Sequence, residues 1–438
     1  MIEALRNAFR LPDLRNKLLI TGLILVIYQF AAHVPVVGVD KSALQSLIQG
    51  QSGGLIGVLN LLSGGALQNF SVIANGVYPY ITASIILQVL LPVIPRLEQL
   101  SKEPGGREKI ETYTYYLAIP MSIVQTISQI QIFNTMGGVP IIPGFGSEPL
   151  LTITVIVTMT AGTMFAVWLG QLITEQGIGN GLSIIIFAGI VARAPENLVS
   201  LLTNSTQPIY NFIAFVLITL VSIIGIIIVQ EGVRRIPVQY GKRVRGRKQY
   251  GGASTHIPLK VNPVGMIPLI FAQSFITFPA LLVNLFPPGP VGQSITQTFG
   301  QQQGLAYWLT FFALVVGFTF IYSDIMVANQ NLSDNLQRNG GFIPGIRPGK
   351  RTQEYIQRVT RRITLVGALF LGIIAIAPGI VDFINRLLFP TEAVSGVAGN
   401  AALVLSGSGL IIVVGVVIDT MRQLEAQLVM RNYDRFMR

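Results

Sequence analysis

The side chains best equipped for chemistry are few in this chain and poorly placed for it. There are two histidines, His33 and His256, and no cysteine. Disulfides, thiolate metal sites and cysteine nucleophiles are therefore excluded. The histidines lie far apart in sequence, and each reads as an interfacial or loop residue rather than half of a ligand pair. GIRPGK at Gly345–Lys350 has the glycines and lysine of a phosphate loop, but the wrong spacing and no following Ser or Thr. GIGNG at Gly177–Gly181 has no strand before it and reads as a tight turn. Two acids, Asp324 and Asp419, border apolar runs, where an interfacial position explains them. No catalytic residue, metal site or cofactor is expected, and ATP hydrolysis is not expected of this chain. The polarity inside the apolar runs is amide and hydroxyl instead, including Gln88, Gln125, Gln171 and Gln273. Such groups hydrogen-bond between helices at roughly 0.6–2 kcal/mol each. They suit seams that open better than a proton relay.

Composition says what carries these residues. Charged residues make up 11% of the 438, against about 25% in a typical soluble domain, and mean hydropathy is +0.61. The fold class expected is an all-α polytopic membrane protein. Apolar runs long enough to span a bilayer fall at about Leu18–Val36, Val77–Pro95, Thr112–Phe133, Leu150–Ile173, Leu182–Leu202, Ile209–Gln230, Pro263–Phe286, Leu305–Ala328, Ile363–Ile380 and Leu403–Ile418. The fifth is interrupted by Arg193, Pro195 and Glu196, and is kept because the charge pattern requires it. Met1–Lys17 is basic and amphipathic and reads as an interfacial helix ahead of the first span, not as a signal peptide.

Lys and Arg orient the spans. Twenty-seven of the 30 fall in the N-terminal tail, the loop Arg96–Glu111, the loops 231–262 and 329–362, and the tail after Ile418. Only Lys41, Arg193 and Arg386 lie on the other side. The basic side, with both termini, is cytoplasmic by the positive-inside rule. Ten spans divide into two halves of five, 18–202 and 203–418, followed by a tail at 419–438. An odd number per half inverts the second half relative to the first and sets a functional site between them. No sequence repeat accompanies this symmetry, which rests on topology.

Two stretches resist the reading of plain spans. From Ser42 to Pro95 there are 54 residues without Asp, Glu, Lys, Arg or His, yet NLLSGGALQNFSVIANGVYPY (Asn60–Tyr80) is broken by glycines and polar residues. From composition alone, a displaceable segment and a permanently packed re-entrant loop stand equal. The loop GVRRIPVQYGKRVRGRKQYGGASTHIPLKVN (Gly232–Asn262) holds eight Lys/Arg and no acid, with Tyr interleaved. Together with NGGFIPGIRPGKRTQEYIQRVTRRITLVGA (Asn339–Ala368), it suggests docking to a large acidic partner, either RNA or an acidic protein surface.

Four motifs, GGFIPGIRPG, ASTHIPLKVN, TEQGIGNGLSIIIFAGIVA and LLSGGALQNFSVIANGVYPYITASIILQ, resemble the SecY family of bacterial protein-translocase channels. The resemblance runs from about Leu14 to Asp419 and covers all ten expected spans. It implies two inverted five-helix halves around a central pore in the bacterial plasma membrane. Residues 55–76 would be a plug, with Leu61, Ser63, Gly64, Gly65 and Leu67 as its signature. Its glycines each weaken a helix by about 1 kcal/mol against Ala. A plug resting on the pore would set Leu67 near Ile412. The pore ring would be Val77, Ile81, Ile186, Ile270 and Ile412, an apolar constriction that gates by dewetting. Val77 departs from the usual Ile. A lateral gate would involve Thr82, Thr114 and Asn262, with polar pairs holding it weakly shut. Arg347, with Arg243, Arg245, Arg247 and Lys248, would dock the SecA ATPase and the ribosome. Further implied partners are SecE-like and SecG-like small membrane subunits, signal peptides, nascent chains and membrane lipids. The rival class is a secondary transporter with inverted repeats, which would need a midplane site and coupling ions.

Overall fold

The computed structural model describes residues 11–40, 42–44, 63, 66–91, 93–137, 140–203, 208–240, 243–245, 248–250, 254–283, 289–295, 298–299, 304–329, 332–377, 379–380 and 409–436. Helix dominates, because a backbone crossing apolar surroundings satisfies its amides most completely within one segment. Among the described residues, each of the ten apolar runs overlaps a helix. These are α1 (Pro12–Ala31), α2 (Tyr78–Leu90), α4 (Gly106–Gly137), α5 (Pro149–Gln176), α6 (Gly181–Thr203), α7 (Pro208–Glu231), α8 (Ile267–Val283), α10 (Leu305–Asn329), α12 (Lys350–Ala375) and α13 (Leu410–Phe436). Between them lie three short helices, α3 (Pro95–Lys102), α9 (Pro290–Ile295) and α11 (Leu332–Arg338). Among the described residues, three helices are by themselves long and apolar enough to cross a membrane: α1, α5 and the stretch Leu305–Arg338. At Pro95 the chain bends by 105° out of α2 into α3.

Several helices overrun the expected boundaries. The α1 helix starts at Pro12, so residues 12–17 continue into the first apolar run instead of forming a separate interfacial piece. Its Leu14 packs with Ile178, Met421 and Leu424. Likewise α13 runs without a break past Ile418 to Phe436, and the tail is an extension of the last apolar run.

The other addition is a small sheet, which an all-α expectation omits. Strand β1 (Val233–Tyr240) pairs antiparallel with β4 (Ser254–Lys260), in register from Val233↔Lys260 to Gln239↔Ser254. Residues Gln239 and Tyr240 also pair with Phe342 and Gly341 of β5, so the order is β4-β1-β5. Ile236 and Val238 of β1 and Leu259 of β4 pack over Leu336, Ile343, Ile356 and Val359. At the far end of the hairpin, β2 (Arg243–Arg245) pairs with β3 (Lys248–Tyr250). The two basic loops are thus one folded unit.

GIGNG is the tight turn expected. Asn180 Oδ1 accepts the Ser183 amide, Thr174 Oγ1 accepts the Gly181 amide at 2.9 Å, and Gly179 has φ +85°. A Cβ at Gly181 would fall 1.8 Å from the carbonyl oxygen of Gly170 on α5, so only glycine permits this approach. Gly181→Ala should destabilise the fold by about 1–3 kcal/mol, read as a lower thermal midpoint in detergent. Gly22→Ala, on a helix face with nothing within 4 Å, should leave the midpoint unchanged or raise it slightly.

Candidate functional site

The expected ring residues fall in the main apolar core of the bundle. Val77 caps the N-terminus of α2 and Ile81 lies one turn into it, while Ile186 comes from α6, Ile270 from α8 and Ile412 from α13. All five belong to one buried cluster, and none is more than 7% exposed. They are separated by up to 335 positions in sequence, and four different helices bring them together. Branched side chains on rigid helices make such a junction dry, because no group there offers water a hydrogen bond.

In the same core runs a stretch outside the α-helices, residues 66–77. Ala66–Asn69 is a single 3₁₀ turn. Ala66 and Ile73 join the ring's cluster, whereas Leu67 packs in a second cluster with Phe70, Tyr78, Ile130 and Phe133. Ala66 and Ile73, rather than Leu67, thus share the cluster that holds Ile412. The 3₁₀ turn rotates successive side chains by about a third of a turn, which sends adjacent residues to different clusters. Of the other plug residues, Ser63 is buried and its carbonyl accepts the Tyr28 hydroxyl at 2.9 Å. Leu61, Gly64 and Gly65 lie outside the described residues, as do residues 55–60.

Polar groups hold this stretch at its C-terminal end. Asn75 Nδ2 donates to Thr126 Oγ1 at 2.7 Å, and Ser122 Oγ donates to Thr163 Oγ1 at 3.1 Å. This joins the stretch to α4, and α4 to α5. Sequence reasoning missed the network, although Ser122 and Thr126, four apart on one helix face, were a readable signal.

The gate residues are placed differently from expectation. Thr82, Thr114 and Asn262 are all buried. Thr82 Oγ1 donates to the Tyr78 carbonyl and Thr114 Oγ1 to the Ile110 carbonyl, each within its own helix. Asn262 bonds the backbone of Gly265, donating at 2.8 Å and accepting at 3.1 Å. The polar pairs expected across the seam are thus local bonds, because a helical Thr finds an acceptor on its own preceding turn. The bond that does cross from α2 to α8 is Tyr78 Oη to the Ser274 carbonyl, buried and 2.9 Å long. Among the glutamines, Gln171 reaches Tyr115 Oη across helices and Gln273 reaches Tyr307 Oη, while Gln88 bonds Ser84 on its own helix.

On the basic face, Arg347 is exposed in a loop between Gly345 (φ +81°) and Gly349 (φ +101°). Its carbonyl accepts the Thr352 hydroxyl at 3.0 Å, which fixes the loop to the start of α12. Arg243, Arg245 and Lys248 lie on the β2–β3 ribbon, with Arg245 opposite Lys248, and Arg247 falls outside the described residues. At the root of the sheet, Arg422 of α13 donates to Glu231 Oε1 at 2.8 Å and to the Gln230 carbonyl at 3.2 Å. Burial, with Arg422 nearby, holds the Lys260 ammonium below the ordinary lysine range. Asp324 is bidentately paired with Arg361, both exposed. His33 bonds the Gln29 carbonyl and His256 sits opposite Pro237 in the sheet, so the two do not meet.

The SecY family profile matches residues 71–421, most of the bundle described above. This chain belongs to the SecY family. It is 42% identical to the protein translocase subunit SecY of Streptomyces galbus over 453 aligned positions, covering all of both chains. It is 38% identical to the SecY of Thermus thermophilus, covering all of this chain and 98% of that one. A solved structure described as that of a protein conducting channel matches with TM-score 0.65 at 18% identity, over 95% of this chain and 93% of the other. The Sec61 of a canine ribosome-channel complex from the endoplasmic reticulum matches with TM-score 0.64, also at 18% identity, over 95% and 93% of the two chains. These structures share the SecY fold with this chain.

Within that fold, the crossing bond singles out Tyr78. Tyr78→Phe removes the partner of the Ser274 carbonyl and should weaken the α2–α8 contact by about 0.5–1.5 kcal/mol. Spin-label distances between the two helices should broaden. Thr82→Val, whose hydroxyl serves only its own helix among the bonds described, should leave them unchanged.

Proposed function

We propose that this chain is the protein-conducting subunit of a bacterial plasma-membrane translocase, and that the apolar junction is its seal. The observation that carries this is the meeting of Val77, Ile81, Ile186, Ile270 and Ile412 in one buried cluster drawn from both ends of the sequence. Unfolded preproteins pass through the junction, whose side chains yield around the chain while excluding ions. The ten helices cross the membrane as two inverted halves of five, with both termini and the basic sheet in the cytoplasm. That arrangement is supported by the placement of 27 of 30 Lys/Arg on one side. Residues 55–76 are the plug, and Thr82, Thr114 and Asn262 line a lateral gate between α2 and α8 through which signal peptides and membrane segments reach lipid.

No group in the junction performs chemistry, so the driving force comes from partners: the SecA ATPase, or the ribosome during chain elongation. The folded unit of both basic loops is their docking face, with Arg347, Arg243, Arg245, Arg247 and Lys248 presenting positive charge to acidic protein or RNA phosphate. SecE-like and SecG-like subunits complete the complex.

Changing Ile81, Ile186 and Ile270 together to Ser should let water and small ions through the resting channel in planar bilayers, with single changes leaking less. An ion-tight triple variant would place the seal elsewhere. Arg347→Glu should abolish stimulation of SecA by the reconstituted channel while leaving its thermal midpoint in place. Undiminished translocation by that variant would remove Arg347 from the docking face.

A further inference from the structure

Phe70 is the one non-glycine residue of the described chain with positive φ, at +43°. The left-handed region is costly for a side chain bearing a Cβ, and it is usually filled by glycine. The reason for it lies in the hydrogen bonds around Phe70. The Ser71 amide donates to the Ala66 carbonyl at 3.1 Å and the Phe70 amide to the Leu67 carbonyl at 2.9 Å. This pair of bonds is the Schellman motif that ends a helix, and Phe70 occupies the position where glycine is preferred. Immediately afterwards, Ser71 forms an antiparallel bridge with Pro35. The Val36 amide donates to the Phe70 carbonyl and the Val72 amide to the Val34 carbonyl, both at 3.0 Å. The Phe70 ring is fully buried and stands edge-on to Phe133 of α4, with centroids 5.5 Å apart.

Phe70 therefore separates two differently held pieces. Residues 71–77 are clamped by the bridge to the end of α1, by Asn75 to α4, and by the approach of the Val72 carbonyl to Gly162 of α5, where a Cβ would fall 2.0 Å away. Before Phe70, the Tyr28 hydroxyl of α1 donates to the Ser63 carbonyl at 2.9 Å, and Asn69 Nδ2 of the 3₁₀ piece donates to the Ala32 carbonyl at 3.3 Å. We propose that Phe70 is the pivot of the plug: the piece before it swings, the piece after it stays clamped, and the strained backbone at Phe70 relaxes when the swing occurs. This rests on the reading of the segment as a plug, and it fixes where the moving part ends and why leaving the resting position is easy.

The cysteine-free chain allows two locks on either side of the pivot, each formed after folding and released by reduction. A Pro35→Cys/Ser71→Cys pair ties the clamped piece, and an Ala32→Cys/Asn69→Cys pair ties the moving piece, by a disulfide or a short reducible bifunctional thiol reagent. In the complete reconstituted translocase, the first lock should leave preprotein transport unchanged, and the second should abolish it until reduced. Transport blocked by the first lock would overturn the pivot. Transport unaffected by either lock would overturn the plug reading itself. For the strain, Phe70→Ala and Phe70→Gly both delete the ring, and only glycine relieves the backbone. At an ordinary position Gly is the less stable of the two. Here the Gly variant should leak ions less at rest than the Ala variant, on the order of 5-fold less. An Ala variant that seals as well as the Gly variant would show that no strain is stored at this position.

Discussion

A backbone amide withdrawn from water must find a partner, and this requirement organises the whole molecule. Helices meet it internally, which is why every long apolar run becomes one. The stretch 66–77 is not one continuous helix: short turn bonds such as Ser71 to Ala66 and Gly76 to Ile73 serve part of its backbone, and the rest is met from outside. From outside, the end of α1 supplies the two bridge bonds to its backbone, and α4 accepts a bond from the Asn75 side chain. A segment fed by external partners is held only as strongly as those partners hold it.

Around it, the molecule keeps strong electrostatics out of the centre. The apolar junction has no ion pair among its members, while the charge pairs Arg422–Glu231 and Asp324–Arg361 lie outside it, each with a side chain that is at least partly exposed. The arrangement fits what each region does. An uncompensated charge at the centre would be costly in an apolar medium, and a strong pair there would resist parting. Packing contacts between branched aliphatics can yield and re-form. The Arg422–Glu231 pair instead ties the root of the basic sheet to α13, the helix that carries Ile412 about three turns earlier.

Much of this could be read from residue order. Ten apolar runs and a one-sided distribution of Lys and Arg pointed to the helices that the structure contains. The glycines of GIGNG pointed to a turn, which Gly181 completes against Gly170. The ring residues were available only through family resemblance, since an Ile in an apolar helix looks alike whether it meets lipid or four other helices. Three things were not readable. In VRRIPVQY, Pro237 and the paired arginines blur the alternation of a strand, and β5 has two residues, too few for any period. Thr82 and Thr114 name a polar side chain but not its direction, and a helical threonine turns back to its own helix. Tyr78, next to a proline at the mouth of an apolar run, looks like an interfacial anchor, yet its hydroxyl is the one that joins α2 to α8.

The pairing of β1 with β5 also constrains how the molecule is made. Strand β1 ends at Tyr240 and β5 begins at Gly341, with α8, α9, α10 and α11 between them. A chain emerging residue by residue has no third strand to offer until those helices have been synthesised and packed. The sheet is completed late in synthesis, and a half-built copy presents the β1–β4 hairpin with an open edge where β5 will pair.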